Sequence, residues 1–514
     1  MKLLSAMTTV AGLTGLSRIA GFIRDVLTAS ILGAGPIADA FFVALKLPNF
    51  FRRVTAEGAF SVSFVPVYTE TLEKDGDQAA QKFASNIFMV MLSALSVFTI
   101  IMIAAMPFVV YGIAPGFAGD AARYDVAVDL ARVTFPYLLC MSLTAMLGGV
   151  LNAHDKFAPF AFAPVLFNLS LIAALLMSDL FETAGHALAW GVLAAGLLQL
   201  VYLWVSVIRA GLPIKIVKPT LSPRTKKVLK LMGPGVIGAG VMHINLFADL
   251  IIASFLQTGA ISYLYYADRL NQLPLGVVGI AVGTALLPML SRAFAAKDAQ
   301  QSRNLYNRAL EYCLILTLPA ALALAVMATP IIQVLFERGA FDAADTAVTA
   351  QVLMAYALGL PAYVAIKVFS TAHWARQDTV TPVKIAVKAT ITNIALSLVL
   401  VQFMGVAGIA LATGLTGWMQ FVMHLRVLKT YDAARIDGRL RKNAPFIALA
   451  SCVMAGGLFI VLSLMGDMFA GGLFSQIITL GAVVIGGMSV YGAVLLFTKT
   501  VRISDFKNYL TKRS

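Results

Sequence analysis

The sequence predicts an all-α polytopic membrane protein of about fourteen transmembrane helices, built as two six-helix lobes followed by two further helices. Three observations lead there. Of 514 residues, 60% are hydrophobic and only 12% are charged, and the mean hydropathy is +0.85, far more apolar than a soluble domain. The apolar residues fall into runs of bilayer-spanning length. A sparse internal repeat relates the first half of the chain to the second.

Runs of roughly 20 apolar residues, enough to cross a bilayer, occur in order at Leu4 to Leu32, Ile37 to Val54, Ile87 to Tyr111, Val133 to Leu151, Phe157 to Met177 and Ala187 to Val207. They continue at Leu231 to Leu256, Tyr263 to Leu290, Tyr312 to Phe336, Val352 to Phe369, Val383 to Met404 and Val406 to Val427, and end with Phe446 to Met465 and Leu473 to Phe497. Lys2 and the run after it imitate a signal peptide, but the run carries on through Arg18 and Arg24 without a small-residue cleavage site, so it reads as the first helix. Between the second and third runs, Phe60 to Phe83 is half polar; it reads as an amphipathic helix at the cytoplasmic interface or as a solvated loop.

The formal net charge of +14 suggests the positive-inside rule and anionic headgroups before it suggests nucleic acid. Alternate connections differ in charge. One set holds Arg209, Lys215, Lys218, Arg224, Lys226 and Lys227, then Arg292 and Lys297, then Lys429, Arg435, Arg439, Arg441 and Lys442. The other is short and acidic or neutral: Asp179 with Glu182, Gln257 to Ala260, Glu337 with Asp342 and Asp345, and Asp467. Both termini, including the basic tail Lys499 to Arg513, are therefore expected in the cytoplasm. No connection is long enough for a soluble catalytic domain.

At one offset, Asn49 pairs with Asn271, Ala59 with Ala281 and Pro66 with Pro288; further on, Pro136 pairs with Pro361 and Asn168 with Asn393. Chance alignment of apolar sequence is the competing explanation. Read as a repeat, the pattern divides the chain into a lobe over residues 1–222, a second over 223–440, and an appendix over 441–514 carrying the last two helices and the tail. Parallel repeats of even helix number are a transporter architecture, with the site at the repeat interface.

The most informative stretch is Ser17 to Pro66. It places Arg18, Arg24, Asp25, Asp39, Lys46, Arg52, Arg53 and Glu57 in two otherwise apolar spans, where a charge at mid-depth costs about 3 kcal/mol or more. Asp39, Lys46 and Arg53 recur every seven residues and Glu57 follows Arg53 at four, giving one stripe of alternating sign. Asp39 is expected to hold Lys46, and Glu57 to hold Arg53. Pro48 is expected to kink the second helix near Arg52. Several arginines facing a cavity suit an anion of phosphate type, because guanidinium presents forked donors and keeps its charge when partly desolvated. The corresponding region of the second half, YLYYADRLNQLP, offers Asp268 and the single cation Arg269. The competing reading is that these side chains snorkel to the interfaces or pair between helices.

Other polar positions carry less. Asn245 and Asp249, with Asn393, Ser397 and Thr413, could offer oxygens to a monovalent cation, but such residues read first as hydrogen-bonded packing between helices. Cys140, Cys313 and Cys452 each stand alone in an apolar run and read as buried, inert thiols; His243, His373 and His424 lack metal-ligand spacing. There is no GxxxxGK[ST] loop, no HExxH and no nucleophile elbow, so an ATPase or a hydrolase is disfavoured.

The blocks GLSRIAGFIRD and GPIADAFFVALKLPNFFRRVTAEGAFSVSFVPV resemble the MurJ (MviN) lipid II flippases of bacterial peptidoglycan synthesis. So do LNAHDKFAPFAFAPVLFN, YADRLNQLPLGVVGIAVGTALLPMLSR and ARQDTVTPVKIA, and the likeness covers essentially the whole chain. The resemblance implies the fold of the multidrug/oligosaccharidyl-lipid/polysaccharide exporter superfamily: two six-helix lobes around a central cavity, with two extra helices forming a groove for the lipid tail. It implies lipid II as the substrate, carried by alternating access from the cytoplasmic to the periplasmic leaflet of the inner membrane. It also implies cavity arginines at Arg18, Arg24, Arg52 and Arg269 and an acidic residue at Asp39. A sodium site in some relatives uses a second acid on helix eleven, where this chain has Ser397. Membrane potential is thus as open a driving force as Na+ or H+, and no cofactor is expected. Expected partners are lipid II, membrane lipids and peptidoglycan synthesis proteins, around a monomer. The alternatives are another polysaccharide-lipid flippase, a drug or cation antiporter of the superfamily, and a membrane glycosyltransferase; arginines repel cationic substrates, and no loop carries a catalytic acidic cluster.

Overall fold

The computed structural model describes residues 2–53, 60–281, 286–296, 298–431, 434–464, 469 and 471–501. Among the described residues its regular elements are helices, and an isolated bridge joins Arg338 and Phe341. The helices are α1 (Lys2–Leu32), α2 (Pro36–Phe51), α3 (Ser61–Ala104), α4 (Met106–Ile113), α5 (Ala121–Thr134), α6 (Tyr137–Ala153), α7 (Ala158–Leu176), α8 (Ala184–Arg209) and α9 (Pro223–Ser254). They continue as α10 (Ala260–Ala281), α11 (Leu287–Ala295), α12 (Ala299–Val326), α13 (Ala328–Phe336), α14 (Ala343–Ala375), α15 (Val380–Met404), α16 (Val406–Leu428), α17 (Gly438–Leu464) and α18 (Leu473–Phe497). Among the described residues, 10 helical spans are long and apolar enough to cross a membrane, against the fourteen expected. One compact unit comprises Met1–Ser262 with Arg338–Phe341, and another Tyr263–Glu337 with Asp342–Ser514.

In the first unit, α3, α6 and α8 bury a core around Phe60, Phe64, Phe83, Met146, Leu147 and Leu203. The half-polar segment from Phe60 is helical, not a loop. It runs into the third span as one helix whose direction changes at Gly76, where φ is 81°, a left-handed value that glycine adopts without steric cost. Beyond α8 the chain leaves helical structure up to Pro223, and Asn86 holds it to α3: its Oδ1 accepts from the Thr220 N–H at 2.8 Å and its Nδ2 donates to the Thr220 carbonyl at 2.8 Å.

Pro48 lies inside α2, and one turn later Arg52 and Arg53 form a wider π-type turn. Proline cannot donate to the Ala44 carbonyl. Thr134 at the end of α5 takes its place, donating from Oγ1 to Ala44 O at 3.1 Å.

In the second unit, Leu290, Tyr306, Leu310, Phe369 and Leu428 form the core between α11, α12, α14 and α16, and α17 and α18 pack on α12 and α13 through Met327, Met454 and Leu458. Cys140 and Cys313 are buried, but Cys452 is exposed on α17, because that helix turns one apolar face outward. Exposed apolar side chains such as Val201, Phe403, Leu464 and Phe497 would be a liability in water. On spanning helices they face lipid, while the backbone polar groups are satisfied within each helix.

The α14 and α16 backbones meet at glycines: a Cβ on Gly359 would lie 2.7 Å from Gly414 Cα. Gly359→Ala is expected to cost about 1–3 kcal/mol through overpacking and to lower the unfolding temperature in detergent. Gly456→Ala, whose Cβ meets nothing within 4 Å, serves as the control and should leave that temperature unchanged or raise it.

Candidate functional site

Two buried charge clusters lie in the first unit. In the first, Arg24 on α1 is only 8% exposed. Its Nη2 donates to Asp25 Oδ1 at 2.6 Å, its Nε to the same oxygen at 3.2 Å, and its Nη1 to Asn168 Oδ1 at 2.9 Å. Asn168 on α7 is oriented by its own amide, which donates to the Ser17 and Pro164 carbonyls at 3.0 Å each. Gly21 faces it: a Cβ there would meet the Asn168 amide at 3.5 Å, an ordinary van der Waals distance. Arg24 is thus a cation engaged by an adjacent carboxylate and by a neutral amide.

The second cluster centres on Asp39, which is fully buried near the start of α2. Its carboxylate accepts four hydrogen bonds: from Arg123 Nη2 at 2.8 Å, from the Gly259 N–H at 2.8 Å, and from Ser262 N–H and Oγ at 2.9 and 2.7 Å. Four donors match the lone-pair capacity of an ionised carboxylate. Two of them are backbone N–H groups at the start of α10, which no residue within that helix can satisfy. Arg123 sits in the first turn of α5, capped by Asp120, with its guanidinium 3.9 Å above the Phe117 ring.

The expected pairing of Asp39 with Lys46 is therefore not found. Seven residues of helix separate the two by about 10 Å along the axis, and closer donors fill the carboxylate. The expected Glu57–Arg53 pair lies outside the described residues at Glu57. Lys46 and Arg52 are half-buried and Arg53 is exposed. Arg52 Nε donates to Asn49 Oδ1 at 3.3 Å. Arg18 and Arg52 both line a cavity of about 520 Å³ within the first unit, together with Ser17, Asn49 and Asn168. Asp25 pairs with its neighbour Arg24.

In the second unit, Arg269 on α10 donates to the Tyr265 hydroxyl at 3.0 Å with its guanidinium 4.6 Å from that ring, and Asp268 accepts from the Gln272 amide. Of the candidate cation ligands, Asn393 Nδ2 donates to Thr413 Oγ1 at 3.2 Å, while Ser397 is buried with no hydrogen-bond partner for its hydroxyl. Asn245 and Asp249 are half-buried one turn apart on α9 of the first unit. His373 Nδ1 lies 3.0 Å from Asp378 Oδ2, with the His424 ring 5.3 Å away; the His243 side chain lies outside the described residues. Among the described residues no group of three or more His, Cys, Asp or Glu could hold a metal. Sequence reasoning missed Arg123, which carries no signal beyond being a cation between two apolar runs. It singled out Asn168 only as a repeat position; an asparagine one turn after a proline in an apolar run was the available clue.

The profile of the family described as "Lipid II flippase MurJ" matches residues 28–480. The chain is 44% identical over 467 residues to a probable lipid II flippase MurJ of Rhizobium meliloti (strain 1021), covering 90% of this chain and 87% of that one. It is 35% identical to the probable lipid II flippase MurJ of Vibrio cholerae serotype O1, covering 98% of each. Among solved structures it is similar to a lipid II flippase MurJ in an inward closed conformation, with TM-score 0.80, 28% identity and coverage of 95% of this chain and 98% of that one. An inward-facing multidrug resistance MATE transporter of the MOP superfamily shares the fold at TM-score 0.69 and 13% identity, over 85% of this chain and 99% of that one.

Removing the Asp39 carboxylate strands a buried guanidinium and three other donors. Asp39→Ala is expected to cost about 3–5 kcal/mol, seen as a large drop in unfolding temperature in detergent. Asp39→Ala with Arg123→Leu should recover part of that loss; a double variant no more stable than the single one would contradict the coupling.

Proposed function

This chain belongs to the MurJ family of lipid II flippases, and on that premise we propose that it carries lipid II from the cytoplasmic to the periplasmic leaflet of a bacterial inner membrane. It is a multi-pass transporter, not an enzyme; the proposed orientation places both termini in the cytoplasm. The observation that carries the proposal is the cation set of the first unit: Arg24 held between Asp25 and Asn168, with Arg18 and Arg52 lining one cavity beside Asn168. A pyrophosphate diester offers several anionic oxygens to forked donors. Asp39, Lys46, Arg53, Glu57, Asp268 and Arg269 are the further residues proposed to serve substrate binding.

Asp25 gives this site a working principle. While the site is empty, its carboxylate occupies Arg24 and spares the protein an unpaired intramembrane charge. When pyrophosphate arrives, it exchanges with Asp25 for the guanidinium, so binding swaps one ion pair for another and is readily reversed. Such reversibility suits alternating access, because only a difference in affinity between two states can shift the population of those states. The proposed driving force is the membrane potential or a monovalent cation, Na+ or H+, with Asn245, Asp249, Asn393 and Thr413 as the proposed cation ligands.

Arg24→Ala is expected to abolish growth of a flippase-depleted bacterial strain while the protein accumulates at its normal level. Arg24→Lys, which keeps the charge but loses the fork, should support growth poorly. Normal growth with Arg24→Ala would overturn the assignment.

A further inference from the structure

We propose that Asn86 and Asn307 are a matched pair of clasps, one in each unit, that keep the segment entering α9 fastened to α3 and the segment entering α17 fastened to α12 throughout transport. For the motion it constrains, the inference rests on the flippase reading above; the clasps themselves rest on side-chain geometry.

A chain outside regular structure must find partners for its own N–H and C=O groups, and asparagine offers both an acceptor oxygen and a donor nitrogen on a short side chain. Asn86 on α3 is 8% exposed, and its amide closes a two-way pair with the Thr220 backbone at 2.8 Å in each direction. Asn307 on α12 is fully buried and acts alike: its Oδ1 accepts from the Asp437 N–H at 3.0 Å and its Nδ2 donates to the Arg435 carbonyl at 2.9 Å. The two match in three further respects. Thr220 and Arg435 each stand three residues before the next helix begins, at Pro223 of α9 and Gly438 of α17. Each helix start is capped beside its clasp, Ser222 Oγ accepting from the Thr225 N–H at 3.2 Å and Asp437 Oδ1 from the Leu440 N–H at 2.7 Å. Asn307 follows Asn86 by 221 positions, within one of the 222 that separate Pro66 and Pro288. Unrelated packing contacts would not share all of these.

Charged pairs reinforce both clasps, unequally. Against α3, Arg224 meets Asp75 at 2.6 Å and Lys227 meets Glu70 at 2.8 Å, but all four side chains are exposed, and such pairs add little. On α12, Glu311 is only 2% exposed and takes Arg439 and Asn443 from α17, while Arg308 pairs with Asp437. Pulling α17 away would strip partners from a buried carboxylate, so the second clasp is the firmer. A carrier that alternates between two states must bend at a few hinge residues, and a segment fastened through both its N–H and its C=O is a poor hinge. The start of α9 is therefore carried by the first unit, and α17 with α18 by the second.

The test uses the full-length protein with Cys452→Ser as background, in nanodiscs for amide hydrogen exchange and in vesicles for transfer of headgroup-labelled lipid II. Asn86→Leu should speed exchange of the Thr220 amide about tenfold, and Asn307→Leu that of the Asp437 amide, the effect of one lost hydrogen bond. Where a leucine variant does not accumulate, the aspartate variant, which keeps the acceptor and loses the donor, takes its place. Exchange at the starting rate in both variants would overturn the clasps. Two cysteine pairs, Asp75→Cys with Arg224→Cys and Arg303→Cys with Ile436→Cys, then replace each clasp by a short bifunctional thiol reagent; Arg303 already donates to the Ile436 carbonyl at 3.2 Å. Bridged protein should transfer label as fast as its unbridged form, and bridging should restore transfer in the Asn86 and Asn307 variants, which alone should be slower. Transfer stopped by a bridge would overturn the inference, since the segment would then have to come free, and so would bridging that restores nothing. Background protein that transfers no label would overturn the flippase reading instead, leaving the exchange rates to judge the clasps.

Discussion

A charge kept away from water must bring its partners with it, and the first unit is arranged around that constraint. Arg24 comes with Asp25 and Asn168, and Asp39 comes with Arg123 and the N–H groups of Gly259 and Ser262. Neither cluster is a surface ion pair worth a fraction of a kcal/mol. Each is buried, and losing one partner would leave the other stranded. One local feature follows from this requirement: Asp120 caps α5 in the turn that presents Arg123.

The two clusters satisfy the constraint differently. Asp39 has a full set of four donors and no room for another, which suits a fixed structural joint. Arg24 is held by an adjacent carboxylate and a neutral amide, which suits exchange with an incoming anion. The difference lies in partner chemistry, since both groups are almost completely buried.

Part of this was legible in the sequence, where charges inside bilayer-length apolar runs marked the Ser17 to Pro66 stretch as one whose charges need partners. The composition and spacing of the apolar runs indicated a helical membrane protein, and several long motifs indicated the family. The pairing of the charges was not legible. Helical periodicity suggested Lys46 as the partner of Asp39, yet the donors came from residues 84, 220 and 223 positions away in the chain. Periodicity describes one helix, whereas a buried carboxylate is satisfied by whatever the packing brings to it.

The central claim is that the arginines of the first unit hold the substrate's pyrophosphate during transport. Its most direct test is the accessibility of headgroup-labelled lipid II in vesicles carrying wild type or the Arg18→Ala/Arg52→Ala variant, followed with and without an imposed membrane potential. Wild-type vesicles should transfer the label across the bilayer, and the variant should fall to the rate of protein-free vesicles. Transfer by the variant at the wild-type rate would contradict the claim.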